Sequence, residues 1–150
     1  MDDHAVAAAI AARFAASLLT APTGEDAIKL AAADLPSGLE GITPCVLVFP
    51  PECVYSWGPS FRTTDQEYPI RFYLGPVASI GRAAARLAKW RSVLVERLVG
   101  NVQLGLAADG VTSANLTGSR SGALEYADVT YAGIELACLV HLVEGITYTA

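Results

Sequence analysis

The stretch Leu124 to Glu144, LEYADVTYAGIELACLVHLVE, constrains the fold more than any other part of the sequence. Apolar and polar residues alternate through it, the pattern of a strand with one buried face. Ile134, Leu136, Cys138, Val140 and Leu142 stand at even positions, whereas the large apolar residues just before them, Val129 and Tyr131, are odd. A one-residue slip exchanges the two faces of a strand, and an inserted residue beside a glycine is the usual way to absorb it. The sequence therefore predicts a bulge at Ala132-Gly133. A second break, Ala127-Asp128, is short enough to turn the chain back into a hairpin, although Gly or Asn would suit that turn better. Val129 to Val143 then forms one strand of about 50 Å, at about 3.3 Å per residue.

Other strands and helices follow from their own patterns. CVLVFPP is a short apolar strand stopped by Pro50 and Pro51. In YPIRFYL, Tyr68, Ile70, Phe72 and Leu74 share one face and Arg71 and Tyr73 the other, before Gly75-Pro76 closes the strand. Ser79 to Val99 reads as a helix, with Ser79 as N-cap and Gly100 just past its end. Its apolar face is Ile80, Ala84, Leu87, Leu94 and Leu98; Arg82, Arg86 and Lys89 lie opposite, with Arg97 on the flank. Arg91 falls inside the apolar stripe, where it either snorkels to the surface or meets a carboxylate or partner. The alanine-rich start is a helix with Ile10, Phe14 and Leu18 as its stripe; it lacks a basic leader and Arg13 interrupts it, so it reads as neither signal nor membrane span. A short helix is expected after Pro22 and Gly24, with Glu25 and Asp26 at its N-terminal end. VQLGLAADG and VTSANLTGSRSGALEY supply one or two further strands. The order predicts an α+β fold over residues 1–150 as one domain: a mixed or antiparallel sheet, an N-terminal and a long central helix packed on it, and a long C-terminal hairpin.

Composition narrows the function. Charged residues make up only 17% of the chain, a hint that part of the surface is covered by other subunits. A net charge of -5 argues against coating nucleic acid, although five of the ten Lys and Arg lie between Arg82 and Arg97. Cys45, Cys53 and Cys138 form no disulfide framework and read as free thiols. No phosphate loop or dinucleotide-binding turn occurs. Gly118 to Gly122 superficially resembles a nucleophile elbow, but Arg120 holds the centre, which leaves a flexible hairpin loop. Cys138 and His141 lie three apart on a strand and so on opposite faces, which prevents chelation of one metal ion; His4 lies near the terminus. No cofactor is expected.

Three sets of residues are candidates for contact with a partner. The basic helix face, Arg82, Arg86, Lys89 and Arg97, is either solvated or meets carboxylates of a neighbouring subunit. The acidic residues Glu125, Asp128, Glu135 and Glu144 are either a solvated face or line a pore or partner surface. Tyr55, Trp57 and Phe61 lie in what reads as a long polar loop from Glu52 to Glu67, which either anchors an interface or folds back to cap the core.

Taken in order, these elements resemble the tail terminator, or tail completion, proteins of long-tailed bacteriophages with non-contractile tails. The resemblance rests on the alanine-rich first helix, ITPCVLVFPPECVYSW, YPIRFYLG running into ASIGRAAARLAKWRSVLVERL, and the closing LEYADVTYAGIELACLVHLVE. It spans nearly the whole chain as an arrangement of elements, departing from the family pattern where Ala127-Asp128 replaces a glycine-rich turn. It implies a non-enzymatic virion protein that forms a homo-oligomeric ring, hexameric in the family, at the head-proximal end of the tail. Such a ring ends polymerisation of the tail tube protein and then joins a head-side connector or stopper protein. Genomic DNA passes through without specific binding, which a negative lumen suits, and no membrane is involved. The alternatives are another head-tail joining protein such as a stopper or adaptor, a small ligand-binding module, or an α+β enzyme.

Overall fold

The computed structural model describes residues 2–76, 80–99 and 103–145. Its elements are α1 (Asp3–Ala12), β1 (Leu30–Ala32), β2 (Cys45–Val48), β3 (Glu52–Trp57), β4 (Phe61–Pro76), α2 (Ile80–Glu96), a 3₁₀ turn (Ala107–Asp109), β5 (Val111–Tyr126) and β6 (Val129–Gly145). The fold is α+β, with a six-stranded mixed sheet in the order β1-β2-β4-β6-β5, and β3 paired to β4 beside β2. Only β1 and β2 run parallel; every other pair is antiparallel. The expected Ser79 cap and Gly100 stop lie outside the described residues, as does the side chain of Ile80.

The long ladder between β4 and β6 runs from Phe61 opposite Gly145 to Pro76 opposite Tyr131. Because directly opposed residues share a face, the even positions of both strands form one apolar surface: Tyr68, Ile70, Phe72, Ile134, Leu136, Cys138, Val140 and Leu142 are all buried there. Both helices pack on it. α1 contributes Val6 and Ile10, with Phe14 just past its end, and α2 contributes Ala83, Leu87, Trp90 and Leu94, with Leu98 just beyond. Trp90 is the largest fully buried side chain among the described residues, its ring 4.7 Å from that of Phe72.

Several expectations change here. α1 ends at Ala12, so Leu18 is exposed and Leu19 is buried in its place. The region after Pro22 forms a turn and then β1, not a helix. On α2 the seam runs through Ala83 rather than Ala84, includes Trp90, and leaves both Ala84 and Arg91 exposed. The described part of VQLGLAADG, residues 103–110, forms no strand, and Gly118 to Gly122, read as a flexible loop, lies inside β5. Glu52 to Glu67 is a hairpin of β3 with the start of β4, not a loop.

The hairpin at Ala127-Asp128 is present. Both residues have positive φ, 49° and 65°, between paired Tyr126 and Val129, as a two-residue turn matched to strand twist requires. The expected bulge is displaced to the neighbouring strand. Tyr73 pairs with Gly133 and Gly75 with Ala132, so the extra residue is Leu74 of β4, while β6 alternates without a break. The odd-numbered Tyr131 is apolar because the opposite face of the sheet is also covered at that end. There the segment before β2 lays Leu39 and Ile42 over Cys45, Leu47, Tyr73, Leu124 and Tyr131, forming a second core. Tyr126 and Tyr131 both meet Tyr73 edge-on at 5.6 Å, and the Tyr126 hydroxyl donates to the Pro36 carbonyl.

Gly133 serves this second core by close approach. A side chain there would press into the Phe72 carbonyl oxygen and the Leu124 side chain. Gly133→Ala should therefore destabilise the fold by about 2–3 kcal/mol, an overpacking cost. In a thermal melt this corresponds to a loss on the order of 4–12 °C.

Candidate subunit interface

β3, the first residues of β4 and the last residues of β6 form an arm that carries exposed apolar side chains. Val54, Tyr55, Trp57 and Phe61 are 68, 52, 65 and 42% exposed, and Leu139 and Val143 are further exposed apolar residues of the arm. The alternative that this segment folds back to cap the core is thereby excluded. Tyr55 is opposed to Thr64 and Trp57 to Arg62, which places both aromatics on the helix-bearing side of the sheet. Val54, Phe61, Leu139 and Val143 stand on the reverse side.

The arm is held by its own side chains. The Arg62 guanidinium lies 5.3 Å from the Tyr55 ring and 5.4 Å from the Trp57 ring, and it is bound by Glu144, its direct neighbour on β6. At the tip, Gly58 N–H donates to the Phe61 carbonyl at 2.7 Å. Nearer the body, the Tyr68 hydroxyl donates to Gln66 Oε1 and the Gln66 amide donates to Asp3 Oδ1, both at 2.7 Å. Burial, more than the nearby Asp3 carboxylate, pushes the Tyr68 hydroxyl up from its ordinary range, so it stays a donor. This chain of bonds fastens the first turn of α1 to the root of the arm.

The charged candidates fall into separate places. Arg86 binds Glu25 through two hydrogen bonds of 2.7 Å, so its charge is satisfied within its own chain. The hydrogen bonds from Arg86 hold the Glu25 carboxyl below its usual value. Arg97 donates to the Arg13 carbonyl at 2.8 Å, and Arg13 reaches the Arg97 carbonyl in return, which locks the ends of the two helices together. Arg82 and Lys89 are exposed and form no ion pair among the described residues. Glu135 sits mid-sheet, 2.9 Å from Arg71 and 3.9 Å from Arg120. Glu125 and Asp128 lie at the β5–β6 turn, at the end of the sheet opposite the arm. Across a strand of 16 residues that separation is about 50 Å. The structure thus brings the three aromatics to one arm, Tyr55 and Trp57 on one side of it and Phe61 on the other, whereas the acidic and basic candidates do not converge on a shared site.

Sequence reasoning missed Arg62, Glu144 as its partner, and Val54. The signal was present in Arg62 and Glu144 bracketing the ends of what are now seen as paired strands. Cys45 and Cys138 are both buried, and burial pushes each thiol up to about 12, so neither is nucleophilic at neutral pH. Cys138 and His141 do point to opposite faces, and His141 bonds Asp65 across the ladder. Among the described residues no helix is long and apolar enough to cross a membrane. Comparison with protein-family models and a search of curated proteins both returned no match.

Two measurements test this layout. Trp57→Ser should leave stability within about 0.5 kcal/mol of the parent, as for an exposed side chain. Trp90→Ala should cost about 3–5 kcal/mol. Comparable losses at both positions in denaturant titrations would place the arm in the core. Glu25→Gln should cost about 0.5–1 kcal/mol at pH 7, the pair being partly exposed on its arginine side. Because the folded-state carboxyl is depressed, its contribution is complete above the unfolded value of 4.5 and is lost as pH falls through the folded value. The stability gap between parent and variant should accordingly narrow as the pH is taken below 4.5.

Proposed function

We propose that this chain is a structural assembly protein of the tail-terminator kind, which closes into a ring on the end of a phage tail tube. The observation that supports the reading best is the arm. Three aromatic side chains are kept outside the core, and an arginine and a glutamate hold two of them in position. Pre-positioned aromatics of this sort are the usual anchors of protein interfaces, because they bury a large area at little further cost in side-chain freedom. The order of elements in the sequence supports the same reading, as does the low charge content.

In this reading the work is geometric. Each subunit carries two different patches, and a head-to-tail contact between them yields a ring when the rotation closes. The ring stops the tail tube protein from adding further and offers a surface to the head-side connector or stopper protein. The net charge of -5 suits a lumen through which genomic DNA slides without sticking. Arg86 is already paired with Glu25 of its own chain, and among the described residues Arg82 and Lys89 of that face form no ion pair.

Native mass spectrometry and negative-stain imaging of the purified protein, alone and mixed with tail tubes, test the proposal. The expected result is a closed ring with one fixed subunit number that binds tails and not heads. A chain that stays monomeric at tens of micromolar and also fails to decorate tails would overturn it.

A further inference from the structure

We propose that the ring is built by strand addition: β3 of one subunit pairs with the β5 edge of a second copy, seating Tyr55 and Trp57 against α2. This assignment rests on the ring reading above. Across the arm the strands run β3, β4, β6, β5, each antiparallel to the next, and among the described residues no strand covers the outer edge of β3 or of β5. Pairing of β3 with β4 is unbroken from Glu52 to Trp57, with no bulge, proline or lysine in the strand. An edge of that kind recruits another strand unless something blunts it.

The two edges differ in this respect. Over its first part β5 is blunted by two extra residues, Thr112 and Thr117, whose hydroxyls donate back to the His141 and Ala137 carbonyls. From Gly118 to Tyr126 its register is regular, so this stretch is the open acceptor. A second copy in the same orientation, shifted along the strands toward the β5–β6 turn, brings its β3 antiparallel to that stretch. The contact uses two unlike patches, so it can propagate around a ring.

Faces and charges also match. Tyr55 and Trp57 stand on the helix side of the sheet, so on joining β5 they meet the flank of α2. A slot of about 170 Å³ opens there, walled by Ala84, Ala88 and Arg91 of α2 and by Ser121 and Gly122 of β5. Small walls leave room for an aromatic ring, and the Arg91 guanidinium can lie over its face. On the reverse side of the sheet the donor strand brings Glu52, which shares that side with the exposed Arg120 of the acceptor strand. Opposite charges at the rim favour this docking over one that places two arms side by side.

Two variants test the assignment: an arm variant, Tyr55→Ser with Trp57→Ser, and a slot variant, Ala84→Glu with Ala88→Glu. All four positions are exposed, so both variants should melt within about 2 °C of the parent. Under conditions in which the parent forms rings, each variant alone should be monomeric by native mass. An equimolar mixture should form a 1:1 dimer, since one intact arm and one intact slot remain. Rings persisting in either variant would overturn the strand addition while leaving the ring reading in place, as would folded variants that stay monomeric when mixed. Loss of assembly in the arm variant with full assembly in the slot variant would mean that arms pair with arms, which also overturns it. A parent that neither assembles nor decorates tails overturns both readings.

Discussion

Everything in this molecule is placed by the ladder between β4 and β6. It sets which residues share a face, and therefore where the helices can lie. β2 and β3 divide the far edge of β4 between them, and β5 takes the far edge of β6. Cross-strand charge pairs mark the register at two heights, with Arg62 opposite Glu144 and Arg71 opposite Glu135. A slip of one residue would separate both pairs and turn the apolar even positions toward the uncovered side. Register is thus enforced by burial along the body and by charge along the arm, where one face has little apolar material to bury.

That division explains the arm. Where α1 and α2 cover the sheet, stability comes from apolar area removed from water, and the bonds running from Tyr68 to Gln66 and from Gln66 to Asp3 close the margin. Beyond that margin the strands continue although their large side chains gain little from burial within one chain. Arg62 under Tyr55 and Trp57, together with Glu144, supplies order in place of burial. An arm that is ordered yet apolar is prepared for a partner, and the open edge of β3 gives such a partner backbone groups to bond.

Legibility in the sequence followed burial. The central part of β4, the strand β2, the helix α2 and the turn at Ala127-Asp128 were readable because each has a one-sided apolar period or a sharp break. Glu52 to Glu67 was read as a loop because Arg62, Thr63, Thr64, Asp65, Gln66 and Glu67 show no alternation of apolar and polar. Its strand character comes from pairing with β6, a long-range fact. Tyr131 suggested a slip in β6 because the pattern was read against one core; a second core on the reverse face removes the contradiction. Trp90 was passed over beside the run of arginines, and Gly118 to Gly122 was taken as mobile although its small residues leave room along the flank of α2. The aromatic candidates were found from sequence, but their support by Arg62 required the hairpin to be seen.

The ladder between β4 and β6 also has a consequence in time. The β5–β6 hairpin closes through a two-residue turn and can form within microseconds, whereas the side-chain bonds of Arg71 to Glu135 and of Arg62 to Glu144, which tie β4 to β6, link residues 64 and 82 positions apart. Closing so long a loop is entropically costly before any apolar surface is gained, which places this sheet among slowly folding topologies. Until β4 arrives, the even face of β6 and one of its edges are open to whatever else is nearby. Nascent subunits made close together during assembly therefore risk pairing through the wrong strand before their own sheet is complete.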